Sequence, residues 1–438
     1  MPHDNPAETM KLTPYWWDEV PRPVLPDAAL PEKVDVLIVG SGYTGLSAAL
    51  QTARGGRSTL VLDAEQAGFG CSTRNGGQIS TSVKPNYQSL AKRHGEQAAT
   101  RIIRDGQASL AWVADFVKAE GIDCDFGVVG RFHAAHSPRH YERLASALKF
   151  QPKGLEVEAY MVPRNEQRRE LGSDAYFGGA VFVRHASVNP AKLHQGMLDR
   201  VLAAGVQVIA HCPVTGLRHE GGAFQVQTPH GVVAARSVVM ATNGYTGRLV
   251  PWLARRVIPI GSYIIATEAL SRATIARLFP KNRIASDTRK VVYYYRASPD
   301  GRRVLFGGRV SASETDPRRS APLLRAEMVR LFPELAGAGI SHSWCGFVAY
   351  TFDELMHIGQ HEGLHYAMGY CGSGAGMAGY LGMRLGQQVL GLAEGRTGLL
   401  DTAFQTRPLY RGSPWFLAPS VAYYRWRDRM TAGPKSAP

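Results

Sequence analysis

The chain has 438 residues, 45% of them hydrophobic and 20% charged, a balance that fits a globular enzyme and excludes a fibrous or disordered polymer. Its length exceeds one ordinary hydrophobic core, so two domains or one two-lobed unit are expected. The formal charge of +14 comes from 50 Lys and Arg spread along the whole chain, which argues for attraction of anionic ligands and against the basic stripe of a nucleic-acid binder.

The opening segment, MPHDNPAETMKLTPYWW, has no apolar h-region, so no secretory signal is expected. Pro14, Pro21, Pro23, Pro26 and Pro31 predict an extended strap over the surface. Val34 to Val39 reads as a short apolar strand running into Gly40, Gly42 and Gly45, spaced G-x-G-x-x-G. A small-residue helix, LSAALQTARGG, and a second strand, STLVLD, complete a βαβ unit. Asp63 closes that strand near the expected ~20 residues beyond the glycines. Glycines here permit a tight turn and close backbone approach to a pyrophosphate. The helix N-terminus offers free N–H groups, and the acid accepts from ribose hydroxyls. Gly40, Gly42, Tyr43, Thr44, Gly45, Asp63 and Ala64 are therefore the candidate dinucleotide site. The unit alone leaves NAD and FAD open.

Residues from about 90 to 120 read as one helix, with Leu90, Ala91, Ile102, Ile103, Leu110, Val113 and Phe116 as core positions. From Pro190 a helix (KLHQGMLDRVLAAG) leads to the strands VQVIA, FQVQTP and GVVAARSVVMATN. Strands dominate from Ile258 to Arg309 (GSYIIATEAL, RKVVYYYRAS, RRVLFGGRV), predicting a separate antiparallel substrate sheet. A second G-x-G-x-x-G, at Gly374, Gly376 and Gly379, follows strand-like LHYAM and opens a helix. No strand ending in an acid comes after it, so a second dinucleotide is not expected there. The last stretch, PWFLAPSVAYYRWRDRM, mixes arginine with aromatics; a packed tail with a solvated basic face is preferred to a peripheral membrane contact. No apolar run reaches the ~18 residues of a span. Cys71, Cys124, Cys212, Cys345 and Cys371 are scattered without C-x-x-C pairs, so a reducing cytoplasm, no disulfide framework and no metal site are expected.

Four segments together resemble the D-amino-acid-oxidase and glycine-oxidase superfamily of FAD enzymes: Gly40 to Asp63, FGCSTRNGGQIS, SVVMATNGYT and Gly369 to Met377. RNGGQ at Arg74 to Gln78, SYIIATE at Ser262 to Glu268, DGRRVLFGGR at Asp300 to Arg309, and TPYWWDE near the start resemble its gamma-glutamylputrescine-oxidase branch. The resemblance implies an α/β, two-lobed α+β fold: a Rossmann-like FAD-binding domain with a discontinuous antiparallel-sheet substrate domain. Residues 1–90, 186–250 and 340–395 would form the first, 91–185 and 251–339 the second, and 396–438 a basic, aromatic extension. It also implies one FAD. Ser72, Thr73, Arg74, Asn75, Gly76, Gly77 and Gln78 would run past the flavin ring and pyrophosphate. Val214 would meet the adenine through its backbone, with Ala241 and Thr242 near the pyrophosphate. Gly372, Ser373, Gly374, Ala375, Gly376 and Met377 would bring backbone N–H groups and a helix N-terminus to the flavin's pyrimidine edge.

The chemistry implied is hydride transfer from a carbon bonded to nitrogen to flavin N5, giving an imine that hydrolyses to carbonyl plus amine. Oxygen, a quinone or another electron carrier would be the acceptor. Superfamily members acting on free amino acids commonly carry an arginine in G-L-R-P-x-T-x-D-x-x-P-x-I-G. In the matching stretch, Gly346 to Gly359, Val348 replaces the arginine and Met356 the proline. The bidentate carboxylate clamp is absent, which favours a small secondary or acylated amine, or one with a distant carboxylate. The alternatives are an N-substituted or cyclic amino acid, a hydroxy acid, and a non-enzymatic basic protein retaining FAD. Candidate pocket residues are Tyr263, Tyr294 or Tyr295, Trp344, His357 and Arg74, with Arg296 and Arg309 as other arginines; strand alternation prevents both Tyr294 and Tyr295 from facing the flavin. Cys345 lies one residue from the slot, Gly346, that holds flavin covalently in monomeric sarcosine oxidases, so non-covalent FAD is expected.

Overall fold

A computed structural model describes residues 10–26, 28–81, 83–309 and 314–431. The apolar strand Lys33–Val39 lies between two parallel neighbours, Thr59–Leu62 and Gly231–Met240. The sheet continues outward to Gln207–Ile209 on one side and to Leu364–Met368 and His357–His361 on the other. Strand alternation divides it into two packed faces. Val36 and Ile38 meet the helices, with Leu46, Leu50, Leu381 and Leu385. Leu37 and Val39 meet an antiparallel hairpin through Phe224 and Val226. One strand of that hairpin, Gly216–Glu220, has too few apolar residues to be read from sequence.

The second sheet is built from the strands, in spatial order, Ile340–Tyr350, Ile258–Thr267, Val304–Gly308, Tyr294–Ala297, Ile284–Asp287, Arg131–Ala134, Gly179–Phe182 and Ala159–Val162. Ile340–Tyr350 pairs along its length with Ile258–Thr267. Phe132, Tyr263, Ile265, Tyr295 and Phe306 face a core closed by helix Pro317–Leu331. The opposite face looks toward the first sheet and roofs a large cavity.

Two elements differ from the sequence reading. The expected 90–120 helix is two, Tyr87–His94 and Glu96–Ala119, broken where Gly95 takes φ +83°, a left-handed position that glycine adopts at little steric cost. The N-terminal strap contains a short helix, Trp16–Glu19, whose Trp16 is fully buried against Ile264, Leu305 and Trp344. Two tryptophans supply enough apolar area to pull the strap into the core. The tail forms helix Leu417–Thr431, fastened where the Asp428 carboxylate accepts the N–H groups of Lys290 (3.1 Å) and Val291 (3.0 Å). Among the described residues no helix is long and apolar enough to cross a membrane, and no His/Cys/Asp/Glu cluster has a metal-holding arrangement.

Candidate active site

The glycine turn between Val39 and Tyr43 is shaped by what glycine lacks. Gly40 has φ +105°, and a Cβ there would stand 3.0 Å from the Ala241 carbonyl oxygen. A Cβ on Gly45 would collide with the carbonyl oxygen of Gly40, so the helix Tyr43–Arg54 can press its first turn onto the loop only with glycine at this position. Gly42 caps that helix with no side-chain hydrogen bond. Asp63 stands at the end of the second strand; its carboxylate accepts the backbone N–H (2.8 Å) and hydroxyl (2.5 Å) of Ser41 and the N–H of Glu65 (3.0 Å).

The turn opens into a cavity of about 2420 Å³, well beyond the ~300–1,000 Å³ of a pocket for one small ligand. Of the expected cofactor residues, it is lined by Gly40, Gly42, Tyr43, Thr44, Asp63, Ala64, Ser72, Arg74, Asn75, Gly76 and Gln78, by Val214, Ala241 and Thr242, and by Gly372, Ser373, Gly374 and Ala375. Five others stand behind the wall. Gly45 is at the helix–turn contact. Thr73 is fully buried, donating to the Gly68 carbonyl (2.6 Å) and accepting from Trp17 Nε1 (3.0 Å). Gly77, at φ +64°, leaves no room for a Cβ beside the Val188 carbonyl, while Gly376 contacts Ile79 and Met377 is in the core. The second glycine cluster serves helix packing: a Cβ at Gly379 would strike Trp112, one at Gly382 the backbone of Thr44, and one at Gly386 the side chain of Gln51.

The candidate substrate-pocket residues divide between the cavity and the cores around it. Tyr263, Tyr295, Trp344 and His357 do not line the cavity. Tyr263 donates to Glu314 (2.8 Å), and Tyr295 donates to Tyr176 (3.0 Å) within the opposite core. Trp344 gives its indole N–H to the Arg74 carbonyl (2.9 Å), and His357 is buried between Asp353 (3.2 Å) and the stacked ring of Phe404. Strand parity selects Tyr294 instead, which lines the cavity with its hydroxyl 2.8 Å from Ser262 Oγ. Arg74 also lines it, but its guanidinium donates to the carbonyls of Phe69 (2.6 Å) and Cys345 (3.2 Å) and lies over the rings of Phe69 and Trp17. Burial pulls its pKa below the usual arginine range. Arg296 is fixed to the carbonyls of Gly77 and Val188, and Arg309 to Glu314.

On strand Ile340–Tyr350 the residues Gly346, Val348 and Tyr350 line the cavity; Cys345 packs on the far side, its thiol pushed up to about 11 by burial. Sequence reasoning missed Lys84, whose ammonium donates to Tyr350 Oη at 3.0 Å and lies over that ring. Burial opposes its charge, but Tyr350, Cys371 and Glu354 carry the pKa above the usual lysine value. It also missed Arg131 and His133, which line the cavity from the second sheet. The only sequence signal for them was an i, i+2 pair of polar residues on a short strand.

Residues 35–388 match the family described as FAD dependent oxidoreductase (DAO). The chain is 32% identical over 429 residues to a probable oxidoreductase, OrdL, of Rhizobium meliloti (strain 1021), covering 95% of this chain and 98% of the relative. It is 31% identical over 415 residues to the gamma-glutamylputrescine oxidoreductase of Escherichia coli (strain K12), covering 90% and 93%. In fold it resembles glycine oxidase from Geobacillus kaustophilus, with a TM-score of 0.70 at 19% identity over 87% of this chain and 99% of that one. It resembles L-proline dehydrogenase from P. horikoshii equally, with 0.70 at 18% identity over 89% and 99%. A match that runs from the first strand through most of helix Gly374–Val389 takes in the glycine turn, the acid and both sheets: the chain belongs to the FAD-dependent oxidoreductase family.

Proposed function

We propose that the protein oxidises an amine, either without a carboxylate or with one several bonds from the reacting carbon, using FAD held non-covalently. The observation that carries this reading is Val348. It occupies the cavity wall beside Ile260. The guanidiniums nearest it are committed elsewhere, Arg309 to the Gly261 carbonyl and Glu314, and Arg74 to the carbonyls of Phe69 and Cys345, so no free fork is left there to grip an α-carboxylate. The relative described as a gamma-glutamylputrescine oxidoreductase supports an acylated amine.

The residues fit the cofactor. The glycine turn keeps its tight form only without a Cβ at Gly40 or Gly45, each of which would meet a backbone carbonyl, and the backbone of Gly40 to Thr44 would hold the phosphates. Asp63 would take the ribose, Val214 the adenine side, and Gly372 to Ala375 the ring. When bound, FAD supplies the hydride acceptor. The chain's part is to select the neutral amine and aim its C–H bond. The uncharged wall of Ile260 and Val348 penalises an ammonium, as does the cation Lys84. The Tyr294–Ser262 hydroxyl pair offers both a donor and an acceptor to the amine nitrogen. No cysteine near the wall is poised for a covalent link: Cys371 donates to the Gly369 carbonyl at 3.1 Å, burial pushing its thiol up to about 11. Cys345 faces the other core, and Cys71 donates to the Phe347 carbonyl, burial pushing its thiol up to about 12.

The test is anaerobic mixing of holoenzyme with acylated diamines, N-methyl and cyclic amino acids, and hydroxy acids, followed by flavin bleaching. Acylated diamines are expected to bleach fastest. Bleaching by hydroxy acids alone would overturn the reading. Reoxidation of the bleached enzyme by oxygen or by a quinone then identifies the acceptor.

A further inference from the structure

Arg131 begins a strand whose alternate residues Phe132 and Ala134 are buried in the second core, leaving Arg131 and His133 on the cavity face. Among the described residues its guanidinium has no ion-pair or hydrogen-bond partner. Its Nε is sealed from solvent without an acceptor, and its guanidinium lies over the ring of Phe182, 5.3 Å away. The other inward cations of the cavity are engaged, Arg289 with Asp287, Lys290 with Glu354, Arg309 with Glu314 and Lys84 with Tyr350, while Arg139, Arg143, Arg248 and Arg427 at its edge are exposed to solvent. A buried arginine without a counter-charge is costly unless a ligand supplies one.

The surroundings are built for an anion. Burial lowers the Arg131 pKa only to about 10, so the charge persists at neutral pH. Burial and the Arg131 charge hold His133 down at about 3 and His185 at about 2, so both rings are neutral. The backbone N–H of Thr81 donates to His185 Nε2, which places the ring proton on Nδ1; that nitrogen is also buried without a partner. Two orphaned donors thus occur in one wall, and among the described residues no carboxylate reaches either.

We infer that Arg131 is the specificity-determining residue that receives a carboxylate carried at the far end of the amine substrate. The geometry sets the length. Tyr294 pairs with Ser286 and Ser286 with His133, and Arg131 lies two residues further along that strand. Two strand spacings of about 4.8 Å across and two residues of about 3.4 Å along separate Tyr294 from Arg131 by about 12 Å. An amine linked by an amide to a γ-glutamyl group has about nine bonds between reacting carbon and carboxylate, an extended reach of about 10 Å, and the arginine side chain spans the remainder. An α-amino acid does not bridge that distance.

This inference rests on the amine reading, and the test separates the two. Holoenzyme is given γ-glutamylputrescine and N-acetylputrescine, which share the reacting end but not the carboxylate. Arg131→Gln is expected to lower the ratio of their kcat/KM values by about 30–100-fold, the loss typical of a charged hydrogen bond, and Arg131→Lys to recover part of it. An unchanged ratio overturns the inference while leaving amine oxidation intact. Calorimetric binding of glutarate to the holoenzyme is a second readout, independent of turnover. Binding that Arg131→Gln abolishes supports the anion site even if no amine is oxidised; binding that survives in the variant overturns it. FAD content and melting temperature verify folding, and if Arg131→Gln fails to fold, the same ratio and titration in Arg131→Lys decide.

Discussion

The guanidinium of Arg22 donates to Nδ1 of His194 across 3.2 Å, and the same ring gives its Nε2 proton to the Ser41 carbonyl at 2.8 Å. His194 thus braces the glycine turn from below as a neutral side chain. Burial and the Arg22 charge lower its pKa to about 3, far under the ~6.5 of an unfolded histidine. The unfolded chain therefore binds a proton that the folded chain refuses. Stability is fully present above about pH 6.5 and falls as pH drops toward 3, by at most about 1.4 kcal/mol per pH unit for each such histidine. The urea midpoint is expected to be lower at pH 5 than at pH 7.5, with His194→Gln flattening the slope. Equal midpoints at the two pH values would remove the argument.

Gly45→Ala and Gly376→Ala should part company although both glycines sit in G-x-G-x-x-G patterns. The first sets a Cβ against the backbone carbonyl of Gly40; the second meets Ile79 at 3.2 Å and Ser109 at 3.4 Å. Purified Gly45→Ala is expected to carry little FAD, and Gly376→Ala nearly a full complement. The flavin-to-protein absorbance ratio reads this directly.

Trp16→Ala removes a fully buried indole and its bond to the Asn75 carbonyl at 2.9 Å. A loss of about 3–5 kcal/mol in unfolding free energy is expected, together with weaker FAD retention, because the freed loop lines the cofactor cavity. Denaturation curves and ultrafiltration of the flavin measure the two effects separately; tight retention would show that the loop is positioned without Trp16.

Asp428→Asn leaves one carbonyl oxygen where two carboxylate oxygens each accept a backbone N–H. Helix Leu417–Thr431 should loosen over the cavity, which it lines through Leu417, Val421 and Tyr424. Quenching of flavin fluorescence by acrylamide is expected to rise. No change would mean that the apolar contacts alone hold the helix.

Acid precipitation of wild-type holoenzyme should leave a colourless pellet and a yellow supernatant. Retained colour that Cys71→Ser or Cys345→Ser abolishes would identify a covalent link instead.

The first glycine turn was legible because its requirement is local: Gly40 and Gly45 are constrained by backbone atoms a few residues away or on the adjacent strand. The antiparallel strands between Ile258 and Arg309 were legible from composition, but the parallel pairing of Ile284–Asp287 with Arg131–Ala134, which makes the sheet mixed, was not. The walls of the cavity were not. Choosing between Tyr294 and Tyr295 needs the register of the sheet, which one strand does not display. Trp344 and Tyr263 have the size and chemistry of pocket residues, and only tertiary packing turns them toward the core. Arg131 carries no motif at all. What distinguishes it is a missing counter-ion, a property of three-dimensional surroundings. The second glycine cluster resembled a phosphate loop because close helix packing and close phosphate approach make the same demand, the absence of a Cβ.

The Trp16–Trp344 contact also governs when the protein can become functional. Trp16 leaves the ribosome long before the strand it packs against, Ile340–Tyr350. The strand Leu364–Met368, which pairs with Gly231–Met240, comes later still. Domains fold as units during synthesis, and contacts of high sequence separation close last. The Asn75 loop is therefore secured only after the strand carrying Trp344 has emerged. A ribosome-stalled chain ending before Trp344 should leave the N-terminal tryptophans solvent-exposed and vulnerable to proteolysis.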